Sequence, residues 1–225
     1  MEQYTHFKKF KLHRHLIKEV ISSLRFIFEE NKYADKVIER ALKTHPKWGS
    51  KDRKFFAETV YDMVRYWRLL WSYLGKDVRF DERTLAELFA AYWFFQNDEL
   101  PPLPEFEHID VQKLIANQDN AHQVLAIRES YPDWMCKRVI DELGEAEAEQ
   151  VLHALNQKAE VVLRANRLKT DRKTLQSKLE EEAIETQFLD SQKFPDALVL
   201  PERKNVFITK AFKDGLFEMQ DGSSQ

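Results

Sequence analysis

The sequence predicts a mainly α-helical chain, a helical bundle over residues 1–159 followed by a small α+β unit over 160–225. Three observations carry this. Apolar residues recur at spacings of three and four through most of the first 160 positions, the signature of helices with one buried face. After Ala159 the pattern changes to short runs containing β-branched residues, separated by turn residues. Glycine is scarce: the five in 225 residues stand singly at Gly49, Gly75, Gly144, Gly215 and Gly222. No two can share a phosphate-cradling loop, which removes both the G-x-G-x-x-G fingerprint and the P-loop. The single cysteine, Cys136, excludes an internal disulfide and any Cys-x-x-Cys zinc site.

The elements follow in order. Over residues 10–30, Leu12, Leu16, Val20, Leu24 and Ile27 form an amphipathic stripe. A shorter helix over 34–43 ends before the turn-like His45-Pro46-Lys47-Trp48-Gly49. Ser50 is a suitable N-cap for a long helix to Leu74, with Gly75 as its stop. Asp81 opens a helix through Phe95, and the prolines at 101, 102 and 104 make 97–107 a loop. Further helices fit 111–117, 121–130, 132–143 and 146–159, with Pro132 in a first turn and Gly144 at a helix end. Beyond them come a strand over 161–165, a helix capped by Thr170 or Asp171 and running through Glu181, and strands over 186–189, 197–200 and 216–220. That β-α-β-β alternation suits a ferredoxin-like unit.

Residues 1–15 are basic and lack an apolar core, which predicts no secretory signal. The longest apolar run, 88–95, is far below the ~18 residues that suggest a membrane span. No membrane partner and a cytoplasmic location are expected. Charge is segregated. Residues 1–80 carry 18 Lys and Arg against 10 Asp and Glu, residues 81–160 carry 6 against 17, and the remainder is balanced at 11 each. A basic region of this kind meets an anion, and nucleic acid is the commonest large one.

On the helix after Ser50, side chains step by ~100°. Phe56, Val60, Met63, Trp67, Leu70 and Leu74 then share a core stripe, while Lys54, Tyr61, Arg65 and Arg68 cluster on another side. That strip has two readings: phosphate contacts with an aromatic between cations, or a solvated helix face partly neutralised by Glu58. The N-terminal cluster Lys8, Lys9, Lys11, His13, Arg14 and His15 adds weight to the first. His13 and His15 are too close in sequence to share a helix face as a metal pair. Cys136 reads as a small packed residue, the carboxylates at 141–149 as helix-end charges, and Tyr92-Trp93-Phe94-Phe95 as packed core. No nucleophile–base pair is found, so no catalytic residue and no metal site are expected.

Three stretches carry a resemblance. Arg53-Lys54-Phe55-Phe56-Ala57-Glu58-Thr59-Val60-Tyr61-Asp62-Met63-Val64-Arg65 resembles the R-x-F…V-Y-x-x-V-R helix of the NusB-like domain that begins many bacterial rRNA cytosine-5 methyltransferases. Asp62 stands where that family often has glycine. Ser130-Tyr131-Pro132-Asp133-Trp134-Met135, then Gly144, Asn156 and Leu163-Arg164-Ala165-Asn166-Arg167-Leu168-Lys169, is similar to the S-x-P-x-W-L…G…N…L-R-x-N-x-L-K signature of the Sun/Fmu (RsmB-like) methyltransferases, with Met135 in place of the usual leucine. Gly215 to Gln225 is similar to the G-x-F-x-x-Q-D-x-x-S-Q that leads into the family's catalytic domain.

The resemblance implies a NusB-like RNA-binding domain over 1–159 and a ferredoxin-like subdomain over 160–225. Both would position small-subunit rRNA for a methyltransferase domain that is absent from these residues. S-adenosyl-L-methionine is expected only in that domain, and these residues alone are expected to be inactive. The expected RNA contacts are Lys8, Lys9, Lys11, Arg14, Lys54, Arg65 and Arg68, with Arg164 and Arg167 in the subdomain. The alternative is a NusB-like protein-interaction or antitermination-type module with a protein partner and no enzymatic role.

Overall fold

A computed structural model of the chain describes residues 10–225 apart from Ser191, so Lys8 and Lys9 lie outside the described residues. The residues divide into two units, one up to Asn156 and one from Gln157. The first is helical. It begins with α1 (Arg14–Phe28), α2 (Ala34–Thr44) and α3 (Ser50–Arg65). Then follow α4 (Trp67–Leu74), α5 (Glu82–Asn97), α6 (Val111–His122), α7 (Leu125–Arg128), α8 (Asp133–Leu143) and α9 (Glu145–Asn156).

The amphipathic stripe of α1 is buried as its spacing dictates, with Leu16, Val20 and Leu24 fully enclosed. The aromatic run lies in α5, whose Leu88, Phe89, Ala90, Ala91, Tyr92 and Trp93 are all buried, so this helix runs through the core rather than along its edge. Among the described residues no helix is long and apolar enough to cross a membrane.

Several boundaries differ from the sequence reading. Ser50 is the first helical residue of α3 and Gly49 holds the N-cap position, with no side chain capping it. Pro132 is the N-cap of α8 rather than a first-turn residue. The expected helix over 121–130 divides between the end of α6 and the single turn of α7. The largest difference is at Tyr66. The helix expected to run unbroken from Ser50 to Leu74 is interrupted there, at φ −97° and ψ 22°. Beyond the break, Leu70 and Leu74 are buried as the ~100° steps predict. Tyr66, Leu69, Trp71 and Tyr73 are buried too, outside the expected stripe, whereas Trp67 is only partly enclosed and stacks on Phe28 at 3.7 Å between ring centroids. Gly75 does end α4, in the left-handed region at φ 63°. A Cβ there would lie 2.5 Å from Asn117 Nδ2, which donates to the Tyr73 carbonyl at 2.9 Å.

The second unit is β1 (Val161–Ala165), α10 (Arg172–Glu181), β2 (Gln187–Phe188), β3 (Ala197–Leu200), α11 (Lys210–Lys213) and β4 (Phe217–Met219). Its sheet has the order β2-β3-β1-β4 with every neighbouring pair antiparallel. Val161 pairs with Leu200 and Ala165 with Phe217. Leu163, Leu198 and Phe217 from the strands meet Leu175 and Leu179 of α10 in one small core. Asp171 caps α10 by accepting from the backbone of Lys173 and Thr174. The sequence reading missed α11, a single helical turn that completes the β-α-β-β-α-β order of a ferredoxin-like fold.

Candidate nucleic-acid interface

The break at Tyr66 leaves α4 with free backbone N–H groups in its first turn, where no local side chain caps it. Ser130 supplies the cap from a distant loop. Its Oγ accepts from the Arg68 N–H at 3.1 Å and the Leu69 N–H at 3.4 Å. Arg68 returns the contact: Nη1 donates to the Tyr131 carbonyl and Nη2 to Asp133 Oδ1, each at 2.7 Å. One turn earlier, Arg65 Nη1 donates to the Asn156 carbonyl at 2.7 Å, satisfying an orphan acceptor at the end of α9. Asn156 in turn donates through Nδ2 to the Glu129 carbonyl at 2.8 Å and to Glu129 Oε2 at 3.1 Å. Buried Glu129 also meets His153 Nδ1 at 3.3 Å and Arg128 Nε at 3.5 Å. Burial pushes the Tyr131 phenol up, and burial pushes the Cys136 thiol up as well. These residues form a joint between the α3–α4 break and the short hairpin of α8 and α9.

The structure therefore corrects the expected free strip. Arg65, an exposed residue, and half-buried Arg68 each donate to a carbonyl of the helical unit, at Asn156 and Tyr131, and Arg68 also to Asp133, so neither is a free surface cation. Lys54 is exposed, 4.0 Å from Glu58. Lys11 is exposed, and Arg14 binds Glu105 through Nε and Nη2 at 2.7 and 2.9 Å. In the second unit Arg164 Nη1 donates to Gln220 Oε1 at 3.1 Å, tying β1 to the end of β4. Arg167 Nε meets Asp196 at 3.1 Å on the surface. Asn166 and Lys169 hold the loop after β1 to the turn at Gly215, donating to the Gly215 and Asp214 carbonyls at 2.9 and 2.7 Å. Among the described residues no group of three or more His, Cys, Asp or Glu is placed to hold a metal ion.

The comparisons now bear on this arrangement. Residues 131–207 match the model of the ferredoxin-like domain of RsmF/B-like methyltransferases, from the joint through β3 to the turn before α11. The chain is 28% identical to the "Probable ribosomal RNA small subunit methyltransferase B" of Synechocystis, over 90% of this chain and 52% of that protein. These matches support a resemblance of the chain to the N-terminal region of Sun/Fmu-type methyltransferases. The chain thus spans about half the length of that curated relative. The crystal structure of PH0851 shares the fold, with a TM-score of 0.56 at 18% identity over 95% of this chain and 54% of that one. Two residues that match the Sun/Fmu-like signature, Ser130 and Asn156, lie in the joint and fasten helices there, together with Tyr131 and Asp133 at its unspecified positions. Asp62, where glycine is frequent, accepts from the Tyr92 hydroxyl at 3.2 Å and gives that buried phenol a partner.

Proposed function

We propose that these residues form the RNA-recognition region of an S-adenosyl-L-methionine-dependent, small-subunit rRNA cytosine-5 methyltransferase of the cytoplasm. In this reading the helical unit is NusB-like, and it and the ferredoxin-like unit hold rRNA for a catalytic domain that binds the cofactor. The observation that supports it most is the similarity of nine-tenths of the chain to about half of a probable small-subunit rRNA methyltransferase. Arg65 and Arg68 leave the set of RNA contacts, because withdrawing either leaves a carbonyl without its partner. Lys11, Lys54 and Arg14 remain in it, with Lys8 and Lys9. Arg167 also stays, since a surface ion pair such as that with Asp196 is worth little and exchanges readily for phosphate. Arg164, held by Gln220, acts by bracing β1.

The test is binding of the 225-residue chain to a small-subunit rRNA fragment across a salt series. Three or four single-strand phosphate contacts give a log–log slope of about −2 to −3. A chain that shows no saturable binding at low salt does not recognise RNA.

A further inference from the structure

The turn between α2 and α3 brings together rings that the function proposed above does not use. The Trp48 N–H donates to the His45 carbonyl at 3.2 Å, which folds the turn so that the two rings stack at 4.4 Å and 6°. His15 of α1 tilts toward Trp48 at 6.3 Å, and His13 stacks on His15 at 5.5 Å and 24°. One edge of this ladder is anchored, because Trp48 also meets buried Phe56 at 5.1 Å. His45 is fixed through Nε2, 3.2 Å from Glu19. The outer members stay accessible: His15 is exposed, and His13 and His45 are half-buried.

The cations around the ladder fall into a paired and an unpaired group. Lys36 and Lys43 pair with Glu39, Arg25 with Glu29 and Arg14 with Glu105. Lys11, Lys18, Lys47 and Lys51, which lie within a turn of the ladder in sequence, are exposed and have no ion-pair partner among the described residues. Pinning a loop to α1 needs one anchored ring. It does not need two further imidazoles stacked outward, nor cations left without counter-charge.

We propose that the ladder of His13, His15, Trp48 and His45 is a stacking platform for unpaired RNA bases, with Lys11, Lys18, Lys47 and Lys51 holding the flanking phosphates. Base stacking on rings combined with cations that track the backbone is how single strands are held without sequence readout. The inference rests on the RNA-recognition reading and assigns it a place.

The experiment compares a labelled single-stranded RNA with an abasic strand of equal length and charge, using fluorescence anisotropy on the full 225-residue chain. Wild type is expected to bind the base-bearing strand about tenfold more tightly, the loss typical of one stacked base. His13→Ala with His15→Ala removes that preference and leaves abasic binding unchanged. Lys47→Ala with Lys51→Ala weakens both strands and flattens the salt slope by about 1.4, at roughly 0.7 per contact. Equal wild-type affinity for both strands, with a steep salt slope, overturns the platform while RNA recognition stands. An undisturbed preference in the histidine double variant also overturns it. Failure to bind either strand overturns the platform and the RNA reading together.

Discussion

At the scale of single residues, Arg68 shows how a helix-face cation becomes structural. Its backbone N–H is capped by Ser130 while its side chain reaches past that serine to Tyr131 and Asp133. Arg68→Ala leaves the Tyr131 carbonyl without its donor and is expected to cost about 1–3 kcal/mol, read as a lowered denaturation midpoint. Ser130→Ala removes a helix cap and is expected to cost about 1 kcal/mol. If Arg68→Ala melts like wild type while RNA binding falls, the guanidinium serves ligand rather than fold. Trp67 is expected to behave differently from a fully enclosed tryptophan. It is partly buried, stacked on Phe28 and edge-on to Trp71 at 5.5 Å. Trp67→Ala should therefore cost about 2–3 kcal/mol, below the 3–5 of full burial.

At the scale of elements, α4 and α5 are clamped by a buried carboxylate. Glu87 of α5 binds Lys76 beyond the end of α4, with Arg83 at 3.5 Å and His108 at 3.4 Å. Burial alone would raise its pKa, but hydrogen bonds from Lys76 and His108 and the charges of Lys76 and Arg83 hold it below the usual carboxylate range. A folded-state value below the unfolded one means that, as acid is added, the unfolded chain takes up its proton first. The clamp's contribution is therefore complete above about pH 5 and is lost as pH falls below about 4, around the unfolded glutamate value. Glu87→Gln is expected to lower stability at pH 7 and to flatten its decline between pH 5 and 3, measured by urea unfolding at each pH. A parallel decline in variant and wild type would remove Glu87 from the acid response. Nothing local marks this clamp, since Lys76 and Glu87 lie eleven residues apart across the connection between α4 and α5. The break at Tyr66 is illegible for the same kind of reason. No proline or glycine stands there, and the serine that caps the new helix comes from sixty residues on. By contrast, the stripe from Phe56 to Met63 was readable because successive contacts on one continuous helix face depend on spacing alone. Lys11, His13 and His15 were visible within a basic, histidine-containing cluster, whereas Lys18, Lys47 and Lys51 were not singled out, and the alignment with Trp48 depends on the fold of the turn.

At the scale of the whole molecule, the change of pattern after Ala159 was readable because a switch from helical to alternating periodicity reports a change of architecture. The boundary falls at Asn156–Gln157, where the contact pattern of the chain divides. The order β2-β3-β1-β4 was not readable, because strand pairing is decided by partners far along the chain. That topology also bears on cofactor chemistry. Nucleotide-type cofactors bind at the carboxyl ends of parallel strands, in the crevice where strand order reverses, with glycines letting backbone approach the ligand. Here the sheet is wholly antiparallel, and the glycine nearest it in the chain, Gly215, is occupied in a tight turn at φ 66° with Lys169 Nζ 2.8 Å from where a Cβ would sit. The one thiol, Cys136, is buried with its pKa pushed up by burial, the opposite of an activated nucleophile. These 225 residues are therefore expected neither to bind S-adenosyl-L-methionine nor to transfer its methyl group to cytosine. Titration calorimetry of the chain with the cofactor, in the presence and absence of an rRNA fragment, should give only heats of dilution. Saturable heat at micromolar cofactor would mean that a site exists outside any parallel-sheet crevice. Cys136→Ser then separates two origins: a thiol-dependent adduct disappears in the variant, whereas reversible binding to a surface cleft survives it.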